Sequence, residues 1–189
     1  RLLAGEYSLT PAKSASVDGH SVLVWSGIDT IVLKAISITL EEYLYPTLGV
    51  YDHCYHTKGR GLKSAITATV EKLKDYDFVF KTDIKSYYAS LNAHRIQDFL
   101  GRWIKDRRIM RLIWQYCDRV EDVNGHYHHC DTGIPKGGSL RVLIGTLYVI
   151  DLDELRHQKN IHIIRYMDDI IIFCKNRYTL RSMIKKVYG

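Results

Sequence analysis

An Asp-Asp pair between two apolar runs is the feature that most constrains this chain. Residues 161–166 and 170–174 are rich in Ile and flank Met167, Asp168 and Asp169. Short apolar runs around a brief polar break predict a buried β-hairpin. Burial of such a hairpin leaves two adjacent carboxylates at its tip, where their repulsion favours protonation unless a cation lies beside them. Because Asp is also a common turn residue, the pair alone does not establish a metal site.

The length and charge of the chain narrow the class of protein to which it can belong. The 189 residues suffice for one domain, or for one domain with an appendage. A formal net charge of +6 favours a polyanionic partner, although basic residues on a solvated helix face would give the same balance. No apolar run approaches the roughly 20 residues of a membrane helix, and the four cysteines have no regular spacing. We therefore expect a reduced cytoplasmic protein without a membrane partner. Because the chain starts at Arg1 without Met and stops at Gly189 right after a predicted helix, we also expect it to be part of a longer protein.

The first 76 residues predict a hairpin followed by two helices. Asp18 and Gly19 lie between residues 13–17 and 20–25 and are typical of a two-residue hairpin loop. Ser26 and Asp29 form a capping box at the start of an amphipathic helix. A polar stretch and a second amphipathic helix follow, so this part predicts a small lobe.

The chain from residue 77 onward predicts an α+β domain. A short strand ends at Asp83, and two helices and a hairpin around Asn124 and Gly125 follow. A glycine-rich loop then opens a long helix predicted over residues 140–157, before the Asp-Asp hairpin and a last helix. Helices on one face of a small antiparallel sheet form a layout of the ferredoxin-like kind.

Three carboxylates would meet at one edge of this sheet. Asp83 leaves a strand that neighbours the hairpin carrying Asp168 and Asp169. The three cannot all stay ionised without divalent cations, and hard oxygen ligands with room for water and phosphate suit Mg²⁺. Two such ions about 4 Å apart would activate a hydroxyl and stabilise a leaving oxygen in phosphoryl transfer. We therefore predict two Mg²⁺ ions here, with Mn²⁺ as the alternative.

The order of the motifs resembles that of reverse transcriptases, in particular the bacterial group II intron-like and retron-like enzymes. Residues 166–169 (Tyr-Met-Asp-Asp) and 83–88 (Asp-Ile-Lys-Ser-Tyr-Tyr) are similar to the paired metal motifs of that family. Residues 133–140 lie between them and resemble its third motif, and residues 28–36 and 58–63 resemble its fingers. Each motif alone is modestly specific, whereas the ordered set is a strong signal.

This resemblance implies the architecture of a polymerase. It covers roughly residues 9–188. Residues 77–189 would form the palm with the metal site, and residues 1–76 would form a fingers lobe. Part of residues 92–130 is a further candidate for the fingers, and no thumb is expected within the chain.

The resemblance also implies roles for individual residues. Asp83, Asp168 and Asp169 would be catalytic metal ligands, with Ile84 beside them in the metal site. The implied nucleotide-binding residues are Lys85, Ser86, Tyr87, Tyr88, Lys136 and Gly137. The implied template- and primer-binding residues are Lys13, Lys58, Arg60, Lys63, Tyr166 and Met167.

Tyr88 bears on the choice between DNA and RNA synthesis. It matches the family's steric gate, where an aromatic ring crowds the sugar 2′-position and favours deoxynucleotides. Similar RNA-copying RNA polymerases have a polar residue at this position. The alternative is an aromatic side chain packed in the core. Two interpretations are also open for Gly137 and Gly138. Their backbone could approach a nucleotide closely because no side chain intervenes, or the two residues could simply precede a helix.

Two features depart from the family pattern or suggest other chemistry. Lys136 replaces the usual Gln, and Arg141 with Val142 replaces Ser-Pro, so nucleotide selection by an amide is lost at Lys136. His126, His128 and Cys130 would share one face of a strand, which permits a zinc site. Structural zinc sites usually show paired ligands, so a polar β-ribbon is favoured.

The expected function is an RNA-directed DNA polymerase that adds deoxynucleotides to a primer 3′-hydroxyl. Its substrates would be an RNA template with a DNA or RNA primer and dNTPs, with accessory proteins or a structured RNA as further partners. The unusual third motif and the missing thumb leave a non-catalytic, polymerase-like RNA-binding module as an alternative. An RNA-directed RNA polymerase is disfavoured by Tyr88.

Overall fold

The computed structural model describes residue 2 and residues 4–17 and 19–188, which form a mixed α+β structure. The strands are β1 (Ala12–Val17), β2 (His20–Val24), β3 (Phe78–Thr82), β4 (Arg119–Val123), β5 (His126–Cys130), β6 (Ile161–Tyr166) and β7 (Asp169–Cys174). The helices are α1 (Gly27–Thr47), α2 (Leu62–Lys72), α3 (Ala93–Trp103), α4 (Arg107–Cys117), α5 (Leu140–Tyr148), α6 (Ile150–Asp153) and α7 (Arg177–Tyr188). Short 3₁₀ turns lie at Val50–Asp52, Tyr87–Ser90 and Glu154–His157. The predicted α+β class is confirmed.

The chain divides into two compact units, and each is built from two separate segments. The four-stranded unit comprises Arg1–Leu44 and Ser86–Tyr148, and the three-stranded unit comprises Tyr45–Lys85 and Val149–Gly189. A single cut after residue 76 therefore does not describe the compact units. The reason is long-range strand pairing, which joins β1 to β4 and the loop after α1 to β6. The assignment of fingers and palm stays a prediction.

A mixed sheet in the order β2-β1-β4-β5 forms the four-stranded unit. β1 pairs antiparallel with β2, and the predicted loop residue Asp18 lies outside the described residues. β4 and β5 form the predicted hairpin, since Asn124 and Gly125 have φ of 55° and 86° as a type I′ turn requires. β1 and β4 pair in parallel, which the sequence did not predict.

An antiparallel sheet in the order β3-β7-β6 forms the three-stranded unit. The predicted Asp-Asp hairpin is confirmed as β6 and β7, joined by a two-residue turn. α7 packs on one face through an apolar cluster that includes Ile172 and Met183. α2 lies on the other face, where Ala65 packs with Ile164 and Phe173. Burial on both faces explains why β7 is almost continuously apolar.

Two helix predictions had different outcomes. The predicted cap at Ser26 is confirmed, because the Asp29 N–H donates to Ser26 Oγ at 3.1 Å. The reciprocal bond differs from that of a capping box, since the Asp29 carboxylate accepts from the Ser26 hydroxyl at 2.6 Å. The long helix predicted over residues 140–157 breaks after α5, where Val149 has a non-helical ψ of 18°. None of the helices among the described residues has the length and apolar character needed to cross a bilayer.

Candidate active site

The predicted carboxylates lie at one end of the three-stranded sheet. Thr82 pairs with Ile170 in the register of β3 and β7. Continuing this register by one residue places Asp83 level with Asp169, the first residue of β7. Asp168 occupies the preceding turn and is half-buried, whereas Asp83 and Asp169 are exposed. A strand end and a tight turn thus bring together residues that are far apart in sequence.

The charge at this edge attracts cations. Lys81 Nζ lies 3.1 Å from Asp169 Oδ1, and both side chains are more than half exposed, at 65% and 52%. Alternation along the strands places Lys81, Asp83 and Asp169 on the face that also carries α2. The oxygens of Asp83, Asp168 and Asp169 do not all lie within 4.8 Å of one another. Carboxylate oxygens open to solvent are nevertheless the donors that Mg²⁺ prefers, so the residues fit a hard divalent cation.

The turn between β6 and β7 is held by two side chains. Met167 has φ of 56°, in the left-handed region. Its N–H donates to Nδ1 of His56 at 2.9 Å, and its carbonyl accepts from Nη1 of Arg165 at 3.3 Å. Because Nδ1 accepts this bond, the His56 ring is neutral. Burial and the Arg165 cation lower the pKa of His56 to about 4.

Arg165 itself belongs to a fully buried charged network. Its guanidinium donates to both oxygens of Asp153, at 2.9 and 2.6 Å, and neither side chain is exposed. His53 Nε2 lies 2.8 Å from Asp153 Oδ2. The backbone of Arg165 also bonds to the loop after α1, since its N–H donates to the His53 carbonyl and its carbonyl accepts from Tyr55. The paired charges allow burial of a guanidinium that would otherwise be strongly destabilising.

His53, Cys54 and Asp153 also have the side-chain types of a metal site. Their ligand atoms lie within 4.8 Å of one another, and all three are buried. Burial raises the pKa of the Cys54 thiol to about 12, so the thiol stays protonated at neutral pH. Asp153 is already bound by the Arg165 guanidinium. Because Arg165 already binds both oxygens of Asp153, the three residues form part of a buried ion-pair network.

The ring of Tyr88 is tightly packed within the four-stranded unit. Cζ of Arg141 lies 3.9 Å from the ring centre of Tyr88, and a Cβ on Gly145 would come within 2.8 Å of the same ring. Tyr87 beside it is buried and donates its hydroxyl to the Gly145 carbonyl. Tyr88 is half-buried. A glycine at 145 thus leaves room for the ring, and Arg141 covers it.

The glycine-rich loop is fixed by backbone contacts. The N–H of Ile134 donates to the Tyr88 carbonyl at 2.8 Å, and the N–H of Leu23 donates to the Lys136 carbonyl at 2.8 Å. Gly137 has φ of 124°, and a Cβ there would lie 2.5 Å from the Leu23 carbonyl oxygen. Close backbone packing therefore requires glycine at this position, whatever else approaches it. The Lys136 side chain is exposed.

The remaining predicted site residues are mostly exposed. The exposed side chains are Lys13 on β1, Lys58, Arg60 and Lys63 around the start of α2, and Lys85 and Ser86 after β3. Arg60 lies over the ring of Tyr55 at 4.9 Å. Ile84 packs against the apolar cluster under α7, so only its backbone is available to a metal ion. Tyr166 and Met167 are half-buried.

The histidine-rich strand β5 forms no metal cluster among the residues that the structure describes. His126 and His128 are exposed, and His129 Nε2 lies 2.8 Å from Asp118 Oδ1. β5 lies at the end of its four-stranded sheet. The exposed histidines of β5 and its pairing with β4 agree with the polar β-ribbon that the sequence favours.

Comparisons with known proteins decide the family. The model of the family described as "Reverse transcriptase (RNA-dependent DNA polymerase)" matches residues 26–188. The chain belongs to the reverse transcriptase family. The match includes all three predicted motifs, so the resemblance found from the sequence is confirmed.

Two curated relatives of this chain are distant. The chain is 23% identical over 126 residues to the group II intron-encoded protein LtrA of Lactococcus lactis subsp. cremoris, covering 67% of this chain and 21% of LtrA. It is 23% identical over 174 residues to protein YkfC of Escherichia coli (strain K12), covering 84% of this chain and 44% of YkfC. The chain thus spans less than half the length of either relative.

Two solved structures have a fold similar to that of this chain. A telomerase from Candida albicans, in complex with a TWJ fragment of telomeric RNA, matches with a TM-score of 0.64 and 12% identity, covering 99% of this chain and 41% of that one. A Cas6-RT-Cas1–Cas2 complex matches with a TM-score of 0.57 and 18% identity, covering 98% and 21%. At these identities the likeness concerns the fold alone.

Proposed function

We propose that the chain is the polymerising part of an RNA-directed DNA polymerase. One observation carries the proposal: in a member of the reverse transcriptase family, Asp83, Asp168 and Asp169 lie at one solvent-open end of an antiparallel sheet. The reaction joins the primer 3′-oxygen to the α-phosphorus of a deoxynucleotide and releases pyrophosphate. The bond that breaks is the one between the α-phosphorus and the bridging oxygen to the β-phosphate.

The proposed metal ligands are the three carboxylates. Asp83 and Asp168 would hold two Mg²⁺ ions, with Asp169 and the Ile84 carbonyl completing the site and Mn²⁺ as an alternative ion. Divalent cations bound there would activate the primer hydroxyl and stabilise the leaving oxygen. The Lys81 ammonium next to Asp169 is an exposed positive charge that divalent binding would displace. An exposed ion pair of this kind contributes little stability, so its loss opposes metal binding only weakly.

Substrate selection is proposed to depend on Tyr88. A ring confined by Arg141 and Gly145 cannot move aside easily, and it would therefore exclude a ribonucleotide 2′-hydroxyl by volume. The side chains proposed to contact the nucleotide are Lys85, Ser86, Tyr87 and Lys136, together with the backbone of Gly137. The lysines would act as point charges on phosphate groups.

The proposed partner is an RNA template with a DNA or RNA primer. The exposed basic residues Lys13, Lys58, Arg60 and Lys63 would contact phosphates, and Tyr166 and Met167 would contact the primer end. Accessory proteins or a structured RNA are further proposed partners. The relatives support this idea, since one solved structure contains telomeric RNA and another joins a reverse transcriptase to Cas proteins.

A primer-extension assay tests this proposal against its alternatives. Extension of a DNA primer on an RNA template, with Mg²⁺ and dNTPs, is the expected result. Extension with NTPs in place of dNTPs would instead indicate an RNA-directed RNA polymerase. Tight primer–template binding without extension by any nucleotide set would indicate a non-catalytic binding module.

A further inference from the structure

Both polar groups of the Met167 backbone are bound by side chains from elsewhere in the three-stranded unit. The N–H donates to His56 Nδ1 at 2.9 Å, and the carbonyl accepts from Arg165 Nη1 at 3.3 Å. His56 follows the loop segment that pairs with β6 through Cys54 and Arg165. Its ring also stands edge-on to Tyr166, with the ring centres 6.1 Å apart. A loop outside the sheet thus reaches the turn that carries Asp168.

This turn needs external support because of its sequence. Two-residue hairpin loops with positive φ usually contain Gly, Asn or Asp at the strained position. Met167 adopts φ of 56° instead, which is unfavourable for a side chain of this kind. Asp168 is the other residue of the loop. His56 holds the peptide unit before Met167 and Arg165 holds the one after it, so rotation of either unit would redirect the Asp168 carboxylate.

We propose that His56 is a positioning residue for the metal site: its Nδ1 fixes the Met167 backbone and thereby the direction of the Asp168 carboxylate. The inference rests on the proposed function, because it assigns Asp168 to the metal site. Arg165 supports the same turn from the carbonyl side and is itself locked by Asp153. Groups that orient metal ligands in this way typically change metal affinity or activity by roughly 10- to 100-fold when they are removed.

The test compares two substitutions of nearly equal size. His56→Asn places an amide oxygen near the position of Nδ1, so it keeps an acceptor for the Met167 N–H. His56→Leu has a similar volume and no acceptor. His162→Leu is the matched control, since His162 is a half-buried histidine on β6 of the same unit whose ring contacts are Tyr76 and Phe173. Arg165 is unsuitable, because its removal would leave Asp153 as an uncompensated buried charge.

Two readouts are measured on each variant: Mn²⁺ affinity by electron paramagnetic resonance, and the single-turnover rate of primer extension in Mg²⁺. We expect His56→Leu to lower both by roughly 10- to 100-fold, and His56→Asn to restore most of the loss. His162→Leu should match the wild type. Equal Mn²⁺ affinity in His56→Leu and wild type would overturn the positioning role.

The two readouts separate this inference from the proposed function. A wild-type chain that extends primers, with His56→Leu unchanged in both readouts, overturns only the role of His56. A wild-type chain that binds Mn²⁺ through Asp168 and does not extend overturns the polymerase function, and the affinities of the variants still decide the role of His56. A wild-type chain without Mn²⁺ binding and without extension overturns both.

Discussion

The guanidinium of Arg141 stacks on the ring of Tyr88, with Cζ 3.9 Å from the ring centre. A cation over an aromatic face stabilises by about 0.5–2 kcal/mol, and more as the pair is desolvated. The family pattern has a small Ser at the position of Arg141, so this contact arises from a departure from the pattern. It keeps the ring of Tyr88 in one place.

The first prediction concerns sugar selection. Tyr88→Ala removes the ring that is proposed to crowd the 2′-position, so use of ribonucleotides should rise relative to deoxynucleotides. A single misplaced methylene already costs roughly 1–3 kcal/mol of discrimination, and a rigid ring excluding a hydroxyl should exceed this range. The measurement is the ratio of incorporation efficiencies, ribo over deoxy, in the variant and the wild type.

Arg141→Ser provides the intermediate case for the same ratio. This substitution keeps the Tyr88 ring and removes the guanidinium that lies over it, so the ring can move more freely. The ratio of ribonucleotide to deoxynucleotide incorporation should therefore rise less than in Tyr88→Ala. If Tyr88 serves only as core packing, Tyr88→Ala should instead lose roughly 3–5 kcal/mol of stability, as other buried aromatics do. Incorporation of both substrates would then fall together, with an unchanged ratio.

The second prediction concerns pH and His56. The pKa of His56 is lowered from 6.5 to about 4 in the folded chain, so the unfolded chain binds a proton more tightly. The free energy of unfolding should therefore fall as the pH drops below 6.5, by roughly 1.4 kcal/mol per unit from this group. The loss should level off below about pH 4, at roughly 3 kcal/mol.

Urea denaturation of the wild type and His56→Asn at several pH values measures this effect. Other titrating groups are common to both chains and cancel in the difference. We expect the stability of the wild type relative to the variant to decline between pH 6.5 and 4. A difference that is constant across this range would show that His56 titrates normally in the folded chain.

The third prediction concerns cysteine reactivity. Cys54, Cys117 and Cys174 are buried, and burial raises the pKa of the first two thiols to about 12. Cys130 is half-buried on β5. Because the thiolate is the reactive form, iodoacetamide should modify Cys130 first at pH 8. Mass spectrometry of native protein gives the order, and modification of Cys54 as fast as Cys130 would contradict the buried network.

The fourth prediction concerns binding of the primer–template. If the exposed lysines contact phosphates, affinity should fall steeply with salt, with a log–log slope of about 0.9 per phosphate for duplex DNA. Lys63→Gln should lower the magnitude of that slope by about 0.9, the contribution of one phosphate contact. Lys159→Gln changes an exposed lysine outside the proposed track and should leave the slope unchanged. Fluorescence anisotropy across a salt series measures the slopes, and equal slopes in all three proteins would reject the track.

Local signals in the sequence account for the elements that it predicted correctly. The Asp-Asp hairpin and the Asn124-Gly125 turn follow from patterns within about ten residues, as turn geometry does in general. The parallel pairing of β1 with β4 joins polar segments about 100 residues apart, so no local pattern indicates it. Contact between such segments is set by the packing of the whole unit.

The side chains that hold the turn of the proposed metal site were missed for a similar reason. The sequence assigns no role to His56 or Arg165, since their partners Met167 and Asp153 are defined only by the fold. A charged residue inside the apolar run of β6 was the available signal. Arginine is almost never fully buried without a partner, so its place in the run indicated a buried acidic partner.

Asp168 is the residue proposed to bind the metal ions for DNA synthesis. Single-turnover extension of a DNA primer on an RNA template, in Mg²⁺, tests this proposal most directly when wild type is compared with Asp168→Asn and Asp98→Asn. Asp98 is an exposed aspartate on α3, so it controls for the loss of one negative charge. We predict a fall of several orders of magnitude for Asp168→Asn and wild-type rates for Asp98→Asn, because an amide keeps the shape and removes the ligand charge. Extension by Asp168→Asn at a rate near that of the wild type would contradict the claim.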